Sequence, residues 1–578
     1  MKKTIGLLLL TFIIHFNCVS QTYIQDVIVV DVLSKKLIPG QTVFINNNNI
    51  SAIKPASEIN TPQKATVINA SGKYLIPGLT DAHVHFFQSG GLYTRPDAID
   101  LRKYKPFESE IEWVQSNMGD LLKRYVRAGI TSVVDVGATY NLLNLRERFK
   151  KENFAPAIYM TGPLLTTWVP DAFRNLNNDG PFELPSTVAE ARKIVQKQLA
   201  YKPDFIKVWF IVDSKNAESS AKENLPIVKA AIDEAHKNKL KVAVHATERI
   251  TAQLAVESGA DFLVHSVEDE IVSDAFVQLL KAKKTILCPT MIVRGGYTKT
   301  FGQKNNFSFY ELTKSNPEQI GSLDDLKHLD HPMIGRMKEY LSSEKAIAEE
   351  SNSDSIRRQN LKKLADNGVI IVAGTDAGNI GTQHSSSYIA ELKAMQESGL
   401  NSWQVLESAT INAAKIFDKE NVTGSISLGK DANLVLLNAN PLDNLENLTA
   451  VELVFNNGII INPDTLLKET PLALVQRQLN AYNARNIDAF LEPYADDVEV
   501  YTYPDKLMYK GKENMRQRYA GMFERMTNLH CEIEERTING NIITDKEIVS
   551  GVGPSPVKAT AIYHIADDKI AKVYFIRP

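Results

Sequence analysis

The sequence predicts an α/β protein: a (β/α)8 TIM-like barrel with a discontinuous small β-sandwich domain, followed by a C-terminal α+β domain. Three observations support this prediction. The 578 residues exceed what a single small domain needs. Strand-like runs alternate with helix-length amphipathic segments through residues 75–417, which is typical of parallel α/β domains. Short β-rich runs flank that region on both sides.

The central region supplies the strands of the predicted barrel. Counting from the run that begins at Tyr74, we find eight strand candidates, which favours a closed barrel over an open sheet. These runs cover residues 74–80, 131–136, 157–161, 205–210, 242–244, 262–264, 285–289 and 369–373.

The two flanks, residues 21–74 and 418–466, contain short β-runs separated by Asn, Gly and Pro turns. Each flank alone buries too little surface to be stable, so we expect them to pair into one composite β-sandwich domain around the barrel. From residue 467 to 578, two helical segments precede a series of strands. This last region is predicted to be a separate α+β domain.

Residues 1–20 have the layout of a secretory signal peptide: two lysines, an apolar run over residues 5–14 and a more polar exit before cleavage near Ser20. A lipid anchor at Cys18 is the alternative, although the bulky residues before that cysteine do not suit a lipoprotein signal. No later stretch is long and apolar enough to span a bilayer. The sequence therefore predicts a periplasmic or secreted protein with no integral membrane span.

Composition excludes some functional classes. The formal net charge of −3, with 23% charged and 44% hydrophobic residues, offers no basic excess for a phosphate backbone, so nucleic acid is not predicted as a partner. Outside the leader the cysteines are Cys288 and Cys531, which fall in different predicted domains. A disulfide framework is therefore not expected to hold this chain together.

The most informative motif is Asp81-Ala82-His83-Val84-His85, at the end of the first predicted barrel strand. Side chains alternate along a strand, so His83 and His85 share a face, and strand ends of this kind form the active-site mouth of such barrels. Imidazole is a good zinc ligand. Taken alone, the motif indicates either a metal site or two incidental histidines.

Three further residues recur at matching strand ends, and Lys207 adds a fourth candidate within a strand. His245 and His265 end two other strand runs, and Asp376 follows the last one. Each alone could cap a strand or helix end, but together they indicate a metal site with a carboxylate ligand or base. Lys207 lies within an apolar strand, where a free ammonium is costly to bury. Its neutral amine could add carbon dioxide and form a carbamate that bridges two metals; alternatively, its ammonium pairs with a carboxylate.

With these motifs the chain resembles the metal-dependent amidohydrolase superfamily, in the branch of imidazolonepropionase-like proteins and prolidase-like Xaa-amino acid dipeptidases. The resemblance runs from Val27 to Ile461. Its ordered motifs are Gly78-Leu79-Thr80-Asp81-Ala82-His83-Val84-His85, Ile206-Lys207-Val208, His245, His265, Gly374-Thr375-Asp376-Ala377-Gly378, Ala409-Thr410-Ile411-Asn412-Ala413-Ala414 and the segment from Gly424-Ser425-Ile426 to Lys430-Asp431-Ala432-Asn433-Leu434.

The resemblance implies a site for two zinc ions. His83 and His85 would bind the more buried metal, Lys207 would be the carbamate bridge, and His245 and His265 would bind the second metal. Asp376 would ligate the first metal and act as the catalytic base and proton shuttle. Cobalt, manganese or iron suit the same donors.

The predicted function is hydrolysis of an amide, dipeptide-like or cyclic amide bond in a small-molecule substrate by an exported amidohydrolase. One alternative is a deaminase or imidazolonepropionase-like hydrolase with a single metal, which would not need Lys207. The other is a non-catalytic, metal-containing small-molecule binding protein, against which the intact Asp376 argues.

Some residues depart from the family pattern and bear on the substrate. The segment after Lys207 is bulky (residues 209–213), and Ile389 stands where many relatives carry a histidine. His384 is predicted to bind a substrate carboxylate or carbonyl in its place; the alternative is an exposed loop histidine. A long loop over residues 294–337 is expected to shape specificity.

The C-terminal region resembles the SnoaL-like, ketosteroid-isomerase-like cone fold. The resemblance rests on Ala481-Tyr482-Asn483-Ala484-Arg485-Asn486, Leu491-Glu492-Pro493-Tyr494-Ala495-Asp496-Asp497-Val498 and the closing strand Val573-Tyr574-Phe575-Ile576. It implies an apolar pocket or a dimerisation module; in the second case the chain would form a homo-oligomer through this domain. No acid/base pair is predicted there, because fold alone does not imply a second activity.

Overall fold

The computed structural model describes residues 21–174 and 179–576. The predicted signal peptide, with the alternative lipid anchor at Cys18, lies outside the described residues. The strands are β1 (Gln21–Asp31), β2 (Lys36–Asn46), β3 (Asn49–Pro55), β4 (Thr66–Asn69), β5 (Tyr74–Pro77), β6 (Leu79–Val84), β7 (Ile130–Asp135), β8 (Ala157–Met160), β9 (Leu164–Thr166), β10 (Phe182–Glu183), β11 (Phe205–Trp209), β12 (Lys241–His245), β13 (Phe262–Val264), β14 (Ile286–Cys288), β15 (Leu434–Leu437), β16 (Val451–Asn456), β17 (Ile459–Ile461), β18 (Tyr494–Thr502), β19 (Lys506–Lys510), β20 (His530–Asn539), β21 (Ile542–Ser550), β22 (Val557–Ala566) and β23 (Lys569–Ile576).

The helices lie mostly between the strands of the central region. They are α1 (Phe107–Arg127), α2 (Tyr140–Phe149), α3 (Val188–Leu199), α4 (Ala217–Lys237), α5 (Arg249–Glu257), α6 (Asp274–Lys283), α7 (Val293–Phe301), α8 (Phe309–Lys314), α9 (Pro317–Ser322), α10 (Pro332–Leu341), α11 (Glu344–Asp366), α12 (Tyr388–Glu397), α13 (Ser402–Ala409), α14 (Ile411–Ala414), α15 (Pro471–Asn483), α16 (Ile487–Leu491) and α17 (Lys512–Arg525). Within the described part of the chain, no helix is long and apolar enough to cross a membrane.

Both β-rich flanks contribute to one eight-stranded sheet, in the order β17-β16-β15-β5-β1-β2-β3, with β4 paired to β1. The join is made by β5, which lies parallel to β1 and antiparallel to β15. Ile24, Val43 and Leu434 are among the apolar residues of its fully buried core. Where the sequence predicts a β-sandwich, the hydrogen bonds link all eight strands in a single sheet.

The boundary between this sheet and the central region differs from the prediction of one strand over residues 74–80. The chain forms β5 up to Pro77 and a separate strand, β6, from Leu79. Between them, a Cβ atom on Gly78 would lie 2.1 Å from Oγ1 of Thr131, so only glycine lets the chain pass this close to β7. The strand that carries His83 therefore begins after this glycine.

The central region contains two parallel sheets, β6-β7-β8 and β10-β9-β11-β12-β13-β14. On one side, the consecutive strands β8 and β9 pair with β7 and β11, respectively. Between β14 and β6 lies the segment over residues 369–373, which the sequence predicts to be a strand. This segment forms no regular ladder, but the amide of Leu287 donates to the Ile370 carbonyl and that of Ala82 to the Ala373 carbonyl, both at 2.9 Å.

The segment over residues 294–337 is not the long loop that the sequence predicts. It folds into most of α7, all of α8 and α9, and the start of α10. Ser308 and Glu311 form a reciprocal capping box at the start of α8, and Pro317 occupies the first turn of α9. These local signals, together with buried Leu312 and Ile320, explain why this segment is helical.

The C-terminal domain is a mixed α/β unit, in which α15, α16 and α17 accompany a six-stranded sheet in the order β19-β18-β23-β22-β21-β20. Only the pairing of β18 with β23 is parallel. The side-chain amide of Asn480 in α15 donates to the Pro317 carbonyl in α9 at 2.7 Å, and Leu312 belongs to this domain's core. The helical segment over residues 294–337 therefore also forms the surface on which this domain packs.

Candidate metal centre

The predicted metal-binding residues converge at the carboxyl ends of the parallel strands. His83 lies in β6 and His85 directly follows it; Lys207 lies in β11, His245 ends β12, and His265 follows β13. A cavity of about 420 Å³ opens here, lined by His85, Lys207, His245, His265 and Asp376 among others. His83 is completely buried beneath it.

Three donor atoms meet at this point. The Nε2 atoms of His83 and His85 are 3.3 Å apart, and Oδ1 of Asp376 lies 3.1 Å from the first and 3.2 Å from the second. Ligand atoms about 2.0 Å from a tetrahedral zinc ion are separated by roughly 3.3 Å. His265 also offers a donor atom within 4.8 Å of those of His83 and Asp376. The donor set therefore fits a divalent metal ion.

In His85 and His265, the second ring nitrogen is held by the protein. Nδ1 of His85 lies 3.2 Å from the Gly137 carbonyl, and Nδ1 of His265 lies 2.6 Å from the hydroxyl of Thr290. A carbonyl can only accept, so Nδ1 of His85 donates and the lone pair of Nε2 stays free for a metal.

Two of the candidate ligands have a left-handed backbone. The φ angles of His265 and Asp376 are 76° and 60°, and that of Thr290 is 47°. For residues other than glycine this region costs about 1–3 kcal/mol, and such strain clusters at functional sites. The amide of Asp376 donates to the His83 carbonyl at 2.8 Å, which helps to hold the strained turn.

A group of side chains that the sequence analysis did not identify positions Asp376. The side-chain amide of Asn379 donates to Oδ1 of Asp376 at 2.8 Å, while its carbonyl oxygen accepts from Arg95 and from the Tyr297 hydroxyl, both at 2.7 Å. The spacing of Asn379, three residues after Asp376, is the only sequence signal for it.

One wall of the cavity is aromatic. The bulky residue Trp209, a departure from the family pattern, stacks on Phe182 with ring centroids 5.0 Å apart and meets His245 edge-on at 5.8 Å. The opposite rim is charged: Arg294 pairs with Glu268 at 3.2 Å. The cavity therefore presents an apolar surface close to the candidate ligands and a paired-charge rim.

Two family models match the chain. The one described as the amidohydrolase family covers residues 74–463, and the one described as a SnoaL-like domain covers residues 475–573. The chain belongs to the amidohydrolase family. It is thus a hydrolase that acts on carbon–nitrogen bonds, and both predicted resemblances are confirmed.

Individual relatives agree with this assignment. Imidazolonepropionase from Thermoplasma acidophilum is 27% identical over 143 residues, a match that covers 25% of this chain and 35% of that relative. A solved Xaa-Pro dipeptidase with bound methionine superposes with a TM-score of 0.60 at 22% identity, over 77% of this chain and 100% of the other. Molinate hydrolase gives a TM-score of 0.58 at 18% identity, over 77% and 95%. These solved structures support a TIM-barrel-type fold.

Burial determines the charge state of the candidate nitrogen ligands. It lowers the pKa of His83 to about 4, and those of His245 and His265 well below their ordinary value. Burial likewise lowers the pKa of Lys207 to about 7. At neutral pH the imidazoles of His83, His245 and His265 are therefore neutral, and a substantial fraction of the Lys207 amine is unprotonated, as metal binding or carbamate formation requires.

The carboxyl group of Asp376, unlike these nitrogen ligands, is charged at neutral pH. Burial alone would raise its pKa, but His83, whose Nε2 lies 3.1 Å from Oδ1 and can donate to it, holds the pKa well below its ordinary value. Asp81, behind the site, has its pKa raised to about 7 by burial and accepts from the Thr375 hydroxyl at 2.7 Å. The site thus contains an ionised carboxylate facing the cavity and a second carboxyl that braces the turn of Asp376.

His384 requires a correction, because the structure does not support its predicted role in substrate binding. Its Nδ1 lies 2.9 Å from the Tyr125 hydroxyl, its Nε2 lies 2.8 Å from the Gln88 carbonyl, and its ring stacks on Phe86. It is 3% exposed and is not among the described residues that line the cavity. His384 is a buried packing residue, neither a substrate ligand nor an exposed loop histidine.

This burial predicts a pH-dependent contribution to stability. The pKa of His384 is lowered by burial from 6.5 to about 4, so between these values the unfolded chain binds a proton that the folded chain does not. Stability therefore falls as the pH falls through this range. Between pH 7 and pH 5, we expect the native chain to lose about 2 kcal/mol more of its free energy of unfolding than His384→Gln does.

Urea unfolding of both proteins at the two pH values measures this difference. At pH 7 the variant should be less stable, because Tyr125 and Gln88 lose their partner. Equal pH dependence of the two proteins would contradict the burial of an uncharged imidazole at this position.

Proposed function

We propose that the chain is an exported, metal-dependent amidohydrolase that cleaves an amide, dipeptide-like or cyclic amide bond of a small molecule. The observation that carries this proposal is the meeting of the His83, His85 and Asp376 donor atoms within 3.3 Å at the floor of the cavity. Export rests on the signal-peptide layout of residues 1–20. We also propose that the two parallel sheets close into one (β/α)8 barrel through residues 369–373.

A divalent metal ion bound here would supply Lewis acidity, which lowers the pKa of water and polarises a carbonyl group. The chain's own part is to hold the donors and to move a proton. Asp376 accepts the proton of the attacking water at its carboxylate and passes it to the leaving nitrogen. Asn379 keeps this carboxylate oriented by its hydrogen bond to Oδ1.

We favour two zinc ions and a carbamate on Lys207. The neutral Lys207 amine would add to carbon dioxide, forming an N–C bond and releasing one proton, and the resulting carboxylate would replace a costly buried ammonium. His83 and His85 would hold one metal, and His245 and His265 the other. The 4.4 Å distance between the rings of His245 and His265 supports a shared ligand role.

The substrate is proposed to carry an apolar or aromatic group next to the scissile bond. Phe182 and Trp209 form an apolar wall beside His245, which suits such a group. The names of the relatives, a Xaa-Pro dipeptidase and an imidazolonepropionase, support small amide substrates.

A second candidate is a hydrolase or deaminase with one metal. It is favoured by the group of His83, His265 and Asp376, whose donor atoms lie within 4.8 Å of one another, as the ligands of one metal ion would. In that case Lys207 would not be a ligand.

The deciding experiment measures the metal content per chain of the purified mature protein and of Lys207→Ala, with the exposed Lys215→Ala as the control. We expect about two metals in the parent and in the control, and fewer in Lys207→Ala. One metal in all three proteins would exclude the carbamate bridge and favour the second candidate. No metal after reconstitution would favour a binding protein without metal-dependent turnover.

A further inference from the structure

The C-terminal domain encloses a second cavity, of about 550 Å³, separate from the candidate metal centre. Its walls are largely aromatic and aliphatic, with Tyr482, Phe490, Tyr519 and Phe575 among the lining residues. A cavity of this size and character is typical of sites that bind small organic molecules.

One acidic side chain interrupts the apolar lining. Glu547, in β21, is 8% exposed and lines the cavity. Two residues earlier on the same face, Asp545 is completely buried and makes paired hydrogen bonds of 2.6 Å with Arg536. Glu547 has no such cation: within the described ranges no basic group forms an ion pair with it. Buried carboxylates are ordinarily paired, so this one lacks its complement.

A chain of hydrogen bonds orients the Glu547 carboxyl. The Tyr494 hydroxyl donates to Oε1 of Gln478 and the Gln478 amide donates to the Tyr563 hydroxyl, both at 3.1 Å. The Tyr563 hydroxyl in turn donates to Oε1 of Glu547 at 3.0 Å. Because the Tyr563 hydroxyl oxygen accepts the hydrogen bond from Gln478, the hydroxyl hydrogen is free to be donated to Glu547.

The other charged residue of the lining does not neutralise Glu547. Arg518 is exposed, and its guanidinium lies over the Tyr509 ring, 4.5 Å from the ring centre. The charge of Arg518 is therefore solvated and lies against the Tyr509 ring, whereas Glu547 is buried in the cavity wall. Burial raises the pKa of Glu547 to about 7, so at pH 7.5 a large fraction of this carboxyl is ionised, and no side chain of the lining neutralises it.

We propose that this cavity binds a small molecule with a bulky apolar or aromatic body and a protonated amine, which Glu547 receives as an ion pair. The aromatic walls enclose the hydrocarbon body, and the hydrogen bond from Tyr563 keeps the carboxylate aimed at the amine. This site is independent of the metal centre and of the reaction proposed for it.

Three probes with the same ring system test the proposal: 1-naphthylmethylamine, 1-naphthylmethanol and 1-naphthoate, titrated calorimetrically into the mature full-length chain at pH 7.5. We expect the amine to bind at least about tenfold more tightly than the alcohol, and the carboxylate to bind most weakly. In Glu547→Gln, the amine and the alcohol should bind equally, with the affinity for the alcohol retained.

The matched control is Glu534→Gln, on the neighbouring strand β20, where the exposed carboxylate pairs with Lys558 at 2.8 Å. It should keep the preference for the amine. Glu547→Gln removes a charge only from the cavity of the C-terminal domain. An amine that binds at the metal centre instead would therefore bind this variant as tightly as the native chain. The proposal is overturned if no probe binds the native chain below about 1 mM, if the carboxylate binds most tightly, or if Glu547→Gln retains the preference.

Discussion

Asp376→Asn is expected to lower the rate of amide hydrolysis by about 10²–10⁴-fold. The asparagine side chain keeps the size of the carboxylate and can still accept the hydrogen bond from Asn379, but it cannot accept a proton from water or pass one to the leaving nitrogen. The effect should fall on kcat rather than on KM, because the lost interaction is made in the transition state. Steady-state kinetics on dipeptides and N-acyl amino acids that the native chain cleaves would measure it.

The control for this prediction is Asp366→Asn, at an exposed carboxylate that pairs with Lys362 on the same helix, α11. It should leave kcat unchanged. Metal content must be measured in parallel, since Asp376 is also a proposed ligand: a variant that keeps its metal and loses turnover identifies the proton-transfer role. If Asp376→Asn retained both its metal and the native kcat, Asp376 could not be the base.

The convergence of the candidate ligands was predictable because these residues lie at or near the carboxyl ends of the predicted strands. His83 and His85 point to the same face, and the pairing of β12 with β13 brings His245 opposite Val264, immediately before His265. Asn379 was not predictable as a positioning residue, because its contact with Asp376 depends on a left-handed turn that no sequence pattern signals. His384 was misassigned because its burial arises from packing on Phe86, which is distant in the chain.

In the fold, too, features that depend on local sequence were predictable, and features that depend on contacts between distant segments were not. Alternating strands and helices were readable from local periodicity, whereas the end of β5 at Pro77 depends on its pairing with β15, about 360 residues later in the chain. Likewise, Glu547 and Tyr563 meet across two strands, and their contact depends on the register of that pair. A sequence pattern defines which residues share a face of a strand, but not which strand that face will meet.

In the C-terminal domain, Asp545→Asn is expected to lower stability by about 3 kcal/mol. Asp545 is completely buried and forms an ion pair with Arg536 across β20 and β21, and Arg536 also binds the side chain of Gln476 in α15 at 2.6 Å. Without the carboxylate charge, the guanidinium stays largely buried with no counter-charge, and both strands lose a link to the helix. The free energy of opening of the β20 and β21 amides, measured by hydrogen exchange, reports this loss.

The adjacent pair provides a matched control, because Glu535 and Lys546 lie opposite each other on the same two strands, one register step away. Their side chains are more than half exposed and 2.6 Å apart, so Glu535→Gln should cost at most about 1 kcal/mol. The two pairs share strands, separation and charge type, and differ in burial. Equal losses of stability in the two variants would show that solvent reaches Arg536 and screens its charge. A much larger loss for Asp545→Asn would show that desolvation dominates and that this face of the sheet excludes water. An ion pair between Glu547 and a cationic ligand requires such a face.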